Sequence, residues 1–314
     1  MNLPREIESL FKRQLNEWEL ARTNYAGLHQ TRVSKIPFQD FNIMLQFNPK
    51  RIISSSAKVD PLSVSARPCF LCKQNRPPEQ VSIGYHDGFE ILVNPYPVFH
   101  SHLTVPSNRH EPQRILPNFG IMLEIARDLP SFIIIYNGPQ CGASAPDHFH
   151  FQAVQKGQMP VEDDFSGKRL CIAHHEIQGV GIYTWNNYLR KLITLQGKNA
   201  AIIEAMFQNI HRLLQQDVQG NEEPMMNILA GCYQDHFVIH LFPRKSHRPD
   251  RFFASGDRQL LLSPASIDMG GVLIFPREED FRRITGDDIT DIFRQVCVED
   301  KFIQDIVNRL ICMY

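Results

Sequence analysis

Residues 147–153 read DHFHFQA, so His148, His150 and Gln152 alternate with Phe149 and Phe151. In an extended chain alternate side chains share a face. The three polar groups then line one side of a strand and the two rings pack on the other. The pattern is compatible with a half-buried strand carrying a wet polar face, and equally with a row of working groups aimed at a ligand. What flanks this stretch has to decide between them.

At 314 residues the chain is long for one domain, and 43% hydrophobic residues supply an ample core. Two lobes, or one two-part fold, are expected. The sequence holds no apolar run long enough to span a bilayer. Its first 21 residues read as an amphipathic helix and not as a secretory signal, so a cytoplasmic protein without a membrane role is expected. Thirty-three basic and 34 acidic side chains nearly cancel. No global field recruits nucleic acid, and any anion must meet a local cluster. Seven cysteines, an odd number, do not form a disulfide framework.

Periodicity sketches an α+β chain. FNIMLQF (41–47) alternates as a strand, KVDPLSVSARP (58–68) reads as a loop, and FEILVNPYPV and SHLTVPSNRHEPQ read as short strands cut by proline turns. A helix interrupted near Pro117 follows, then the buried strand SFIIIYNG (131–138). After the opening stretch come strands at KRLCIAHHEI and VGIYTWNNYL and a long helix over 199–218. MMNILAGCY, HFVIHLFPRK and VLIFP read as three strands of a second lobe, and 289–313 as one closing helix. Strand, helix, strand and polar strand occur near 90–155 and again near 199–245, which hints at a degenerate duplication. The expected halves are 1–195 and 196–314, sharing mostly antiparallel sheet with packed helices.

Cys69 and Cys72 form a C-x-x-C in a proline-bounded loop. Such a pair serves zinc, redox chemistry or simple packing. A closed zinc site needs two more ligands, and no second cysteine pair exists, so histidines must complete it. His100, His102, His110, His148 and His150 are the candidates. His110, in the turn SNRHEP, is better placed for ligation than His100 and His102 at the start of a strand, which suit structural hydrogen bonding.

Cys69-x-x-Cys72, His110 in VPSNRHEP, and NGPQCGASAPDHFHFQ (137–152) together resemble the galactose-1-phosphate uridylyltransferase group of the histidine-triad superfamily. VNPYPVFHSHLTVPSNRHEPQRI, HFHFQA and the C-terminal stretch 261–300 look like the GDP-hexose phosphorylase branch of the same superfamily, which includes plant GDP-galactose phosphorylases. The resemblance implies two histidine-triad-like lobes. It implies Cys69, Cys72, His110 and His148 as ligands of a structural zinc, His150 as a nucleophile that accepts a nucleotidyl group, and Gln152 as a donor to phosphoryl oxygens. The sequence departs from the uridylyltransferase pattern in placing Asp147 between Pro146 and His148, and His236 and His240, four residues apart, do not reproduce that family's second metal site.

A neutral imidazole can attack phosphorus without a strong base. Its other nitrogen is expected to donate to a backbone carbonyl. Asn137, Gly142 and Ser144 are expected phosphate contacts, because glycine lets backbone amides approach closely. Arg244 and Lys245 in FPRKSHRP are expected near the leaving phosphate, and Arg51 near base or sugar. The expected function is transfer of a nucleoside monophosphate from a nucleotide sugar, through nucleotidyl-His150, to phosphate or a sugar phosphate. Phosphorolysis of a dinucleoside polyphosphate is the alternative enzymatic reading, and a non-catalytic nucleotide-binding zinc protein the third. A homodimer is compatible with each.

Overall fold

The computed structural model of the chain describes residues 3–52, 60–216, 218, 220 and 222–314. Thirteen strands occur among them: β1 (Arg32–Pro37), β2 (Asn42–Phe47), β3 (Ser82–Tyr85), β4 (Phe89–Val93), β5 (His102–Pro106), β6 (Phe132–Asn137) and β7 (His150–Gln155) precede β8 (Cys171–Ile177), β9 (Val180–Trp185), β10 (Ile193–Gly197), β11 (Met226–Tyr233), β12 (His236–Pro243) and β13 (Val272–Phe275). Ten form one sheet in the order β3-β4-β5-β7-β6-β11-β12-β10-β9-β8. Every pairing in it is antiparallel.

Read from its two edges inward, the sheet repeats one order. β3-β4-β5-β7-β6 matches β8-β9-β10-β12-β11, with helix Phe119–Asp128 between β5 and β6 and helix Ala200–Gln215 between β10 and β11. The copies join where β6 pairs with β11, Asn137 opposite Asn227. The repeat therefore divides between β7 and β8. A cut at 195 falls inside β10, because hydrogen bonding places residues 171–197 with the second copy.

The strand period decides what covers each face. Ile134, Tyr136, Phe149 and Phe151 join a core with helices Leu3–Glu17, Phe119–Asp128, Ala200–Gln215 and Asp300–Ile311. Ile133, Ile135 and Val154 turn the other way, into a core with residues of β2, β13 and helix Gly286–Val296. Helix Ala200–Gln215 buries Ile203, Met206, Phe207, Ile210 and Leu214 at helical spacing, and Asn199 caps its first turn by accepting from the Ile202 N–H at 3.2 Å.

Several sequence expectations are corrected. VLIFP is not a strand of the second repeat: β13 runs parallel to β2 in a separate sheet ordered β1-β2-β13, so the last strand packs back onto the N-terminal segment. The closing helix is two, Gly286–Val296 and Asp300–Ile311, broken where Cys297 bridges to Arg244 and the Lys245 N–H donates to the Val296 carbonyl. The helix expected to be interrupted near Pro117 begins at Phe119 after a short turn at Leu116–Asn118. Within KVDPLSVSARP, Pro61–Ser65 is a helical turn capped by Asp60, which accepts from the Ser63 N–H at 2.9 Å; residues 53–59 lie outside the described residues. Among the described residues no helix is long and apolar enough to cross a membrane.

Candidate metal and nucleotidyl-transfer site

Cys69 and Cys72 occupy a tight turn in which the Cys72 N–H donates to the Cys69 carbonyl at 3.3 Å, and Asn75 Nδ2 donates to the same carbonyl at 2.9 Å. Opposite them His148 ends the turn leading into β7, its N–H donating to Ala145 at 3.2 Å. The strand expected over 148–152 thus begins at His150, because His148 bends out of the ladder. Its Nδ1 lies 3.3 Å from Cys69 Sγ and 3.4 Å from Cys72 Sγ, and His110 Nδ1 lies 3.2 Å from Cys72 Sγ. The four donor atoms all fall within 4.8 Å of one another.

The donor chemistry fits a metal ion. Tetrahedral zinc with ordinary bond lengths sets S···N separations of about 3.6 Å, close to those here. His148 Nε2 lies 2.8 Å from the Ser107 carbonyl, which accepts its proton and leaves Nδ1 as the ligand atom. His110 Nε2 faces the Asp147 carboxylate at 3.7 Å, and Arg67 lies 3.5 Å from the other oxygen of Asp147. Burial acts to raise the Cys69 thiol, yet the close His148 ring and hydrogen bonds from the Leu71 and Cys72 backbone outweigh it and bring the thiol down to about 6. All seven cysteines are free thiols.

His150 is 3% exposed, and Gln152 on the same face is half-buried. Its Nδ1 lies 2.9 Å from the His148 carbonyl, the backbone acceptor expected for it. A carbonyl can only accept, so Nδ1 carries the proton and Nε2 keeps a lone pair. Burial holds the imidazole down to about 4 against the pull of that carbonyl, so it is neutral at pH 7. Gln113 fixes the backbone here. Its Oε1 accepts from the His150 N–H at 2.8 Å, and its Nε2 donates to the His150 carbonyl at 2.9 Å and to the Asn137 carbonyl at 3.0 Å.

Two amides share the face of His150. Gln152 stands opposite Thr104 and Ile135 in the ladder, with its Oε1 2.7 Å from His102 Nε2. Asn137, at the end of β6, accepts at Oδ1 from the Ser266 N–H (2.8 Å) and Asn227 Nδ2 (2.9 Å), which leaves its own NH2 to donate; the Ser266 hydroxyl lies 2.7 Å from both this oxygen and the Tyr136 carbonyl. Ser266 and Asn227 both come from the C-terminal repeat, so that repeat orients a group beside His150. Gly142 approaches the same segment: at φ +100° a Cβ there would lie 2.6 Å from the Ala265 Cβ, which glycine alone avoids. Ser144 is half-buried and its carbonyl accepts from Arg67 at 3.1 Å.

The basic residues divide. Arg244 does not present a free guanidinium: all five of its N–H donors are engaged, by Val296, Asn227, Pro264, Ser246 and His247, at 2.6–3.1 Å. It clamps the loop after β12 and reaches His150 only through Asn227, Asn137 and Gln113. Lys245 is exposed. Arg51 donates from Nη1 to the Tyr96 carbonyl at 2.8 Å, and burial pulls it down to about 10 despite the Asp268 carboxylate nearby. Sequence reasoning missed Gln113, Asn227 and Ser266, whose roles exist only through pairings across 24 to 129 residues.

Comparison with known proteins agrees with this architecture. Residues 165–313 match the family described as GDPGP1-like, C-terminal domain, and residues 10–155 match a domain of unknown function, DUF4922. No curated protein matches the chain by sequence. Among solved structures, yeast Ap4A phosphorylase Apa2 superposes with a TM-score of 0.56 at 12% identity, covering 89% of this chain and 97% of that one. The same yeast enzyme in complex with Ap4A gives 0.54 at 14% identity, over 92% and 97%. The protein shares its fold with this yeast phosphorylase. The second matched region is similar to the GDPGP1-like C-terminal domain, and the two matched regions meet where the sheet repeats.

Proposed function

We propose that this chain is a nucleotide phosphorylase that transfers a nucleoside monophosphate through a covalent nucleotidyl-His150 intermediate. The observation that carries the reading is the 2.9 Å contact between His150 Nδ1 and the His148 carbonyl, which leaves Nε2 as a neutral nucleophile. The Nε2 lone pair attacks the α-phosphorus, a P–N bond forms, and the P–O bond to the leaving phosphate breaks. Nδ1 keeps its proton throughout, and the His148 carbonyl steadies the positive charge that develops on the ring. Phosphate oxygen then attacks the same phosphorus, the P–N bond breaks, and His150 returns neutral with a nucleoside diphosphate as product. The amides of Asn137 and Gln152 are the proposed donors to the equatorial oxygens.

Cys69, Cys72, His110 and His148 would hold zinc as scaffold: with four protein ligands no position is left for substrate. Its chemistry there is to lock the His148 carbonyl in place. The favoured donor is a dinucleoside polyphosphate, as for the yeast phosphorylase of the same fold. The second reading, a nucleoside diphosphate hexose, is favoured by the GDPGP1-like C-terminal domain.

The test is phosphorolysis of diadenosine tetraphosphate, GDP-glucose, GDP-mannose, UDP-glucose and ADP-glucose, each with phosphate. A phosphate-dependent release of nucleoside diphosphate and an acid-labile protein adduct are expected with at least one donor. No adduct and no release with any of them would leave a nucleotide-binding protein without turnover.

A further inference from the structure

We infer that His102 is a positioning residue: it fixes which end of the Gln152 amide faces the substrate. The inference rests on the proposed function for what the amide binds, though its hydrogen-bond logic stands alone.

His102, on β5, is fully buried. The Val98 N–H donates to its Nδ1 at 3.2 Å, and a backbone N–H can only donate, so Nδ1 is the bare nitrogen of the ring. Nε2 then carries the proton. The group 2.7 Å away on Gln152 must be an acceptor, which assigns that atom as Oε1 from chemistry and not from density of contacts. With Oε1 held by His102, the NH2 of Gln152 is turned the other way, along the face it shares with His150. A protonated His102 would lose the Val98 contact, and burial beside the Arg51 charge prevents this, pulling the ring down to about 3.

The consequence is a donor whose polarity is set before substrate arrives. A free glutamine amide rotates between two nearly equivalent orientations, one of which aims oxygen at a phosphoryl oxygen and repels it. Asn137 is treated in the same manner on the neighbouring strand, with two N–H donors on its Oδ1. Both side chains that flank His150 are thereby obliged to donate. Preorganised donors of this kind act on the transition state, where charge on the oxygens is greatest.

The experiment combines two readouts on the full chain. Long-range 15N–1H spectra of the wild type should place the His102 proton on Nε2. His102→Leu, which cannot donate, should lower kcat roughly 10–100-fold with KM little changed, the scale of an impaired oxyanion donor. His102→Gln, whose amide can donate at the Nε2 position, should recover most of that loss. In a Gln152→Leu background the His102→Leu change should add nothing, because the amide it orients is gone. A proton on Nδ1 overturns the inference, as does full turnover by His102→Leu or an equal loss in both backgrounds. If the wild type turns over no donor, the proposed function fails, and the tautomer alone decides His102. Should His102→Leu fail to fold, the tautomer and the His102→Gln kinetics decide it.

Discussion

The carbonyl oxygen of His148 sits 2.9 Å from Nδ1 of His150, while the ring of His148 faces Cys69 and Cys72 at 3.3 and 3.4 Å. One residue thus joins the candidate metal cluster through its side chain and sets the tautomer of the proposed nucleophile through its backbone. The two histidines therefore separate under mutation. His150→Ala should abolish adduct formation while zinc content and melting temperature stay near wild type. His148→Ala should lose zinc, stability and activity together. His150→Ala keeping more than about a tenth of wild-type turnover, a loss of only ~1.4 kcal/mol, would show that another group attacks phosphorus.

Metal removal tests the cluster itself. One zinc per chain is expected by elemental analysis, and Cys72→Ser or a strong chelator should lower the melting temperature, since a bound ion would tie the 69–72 turn to the segment entering β7. Activity should fall with the metal and return when zinc is restored. Equal melting curves with and without chelator would remove the metal from the account.

The alternation at 147–153 disclosed the strand that begins at His150 and its two faces, because period 2 is a local signal. The Cys69–Cys72 pair was equally legible, since ligand spacing within a turn is local too. What escaped was set by distant pairing. Arg244 looks in the sequence like a phosphate contact at the end of a strand. In the fold its five donors are taken by the loops it closes, a consequence of β12 ending against Val296 and Pro264. VLIFP has the composition of a strand, but nothing in it announces a parallel partner some 230 residues earlier. Gln113 lies outside any regular element, and its value comes from two strands that the chain reaches later.

Gln113 carries a prediction of its own. It satisfies the N–H and carbonyl of His150 and the carbonyl of Asn137, and its backbone carbonyl accepts from the Tyr136 hydroxyl at 3.1 Å. Gln113→Leu would leave three buried backbone groups without this partner, a loss of about 2–4 kcal/mol in stability by denaturant unfolding. Turnover of the surviving folded protein should drop as well, because the start of β7 is no longer held. A variant as stable and active as wild type would mean that water replaces the amide fully.

Gly142 tests the close approach between the repeats. Alanine there is strained by φ +100° and presses its Cβ to 2.6 Å from that of Ala265, next to the Ser266 that orients Asn137. Gly142→Ala should destabilise by about 1–3 kcal/mol and weaken phosphate-dependent turnover beyond what lost stability explains. Wild-type turnover in a destabilised Gly142→Ala protein would confine the glycine to packing.

Glu223 provides a pH test remote from the metal ligands. Its Oε1 accepts from the Ile115 N–H at 2.9 Å and lies 3.2 Å from the Tyr136 hydroxyl, whose one proton it shares with the Gln113 carbonyl, with His211 Nε2 3.9 Å away, and burial outweighs these contacts to push the carboxyl from an ordinary 4.5 up to about 7. The folded chain therefore holds a proton that the unfolded chain releases between those values. Stability from this group is fully present below about pH 4.5 and is lost as pH rises through about 7. Glu223→Gln keeps an oxygen for Ile115 and Tyr136 but has no proton to lose. Its stability relative to wild type should be near zero at pH 4.5–5 and should rise by pH 8, reaching on the order of 2–3 kcal/mol if the full shift is expressed. Denaturant unfolding of both proteins at the two pH values reads the difference directly. A gap that stays constant with pH would mean that the Glu223 carboxyl ionises in the folded chain as it does in the unfolded one, and that burial at this junction of β6, Gln113 and the second repeat has not displaced it.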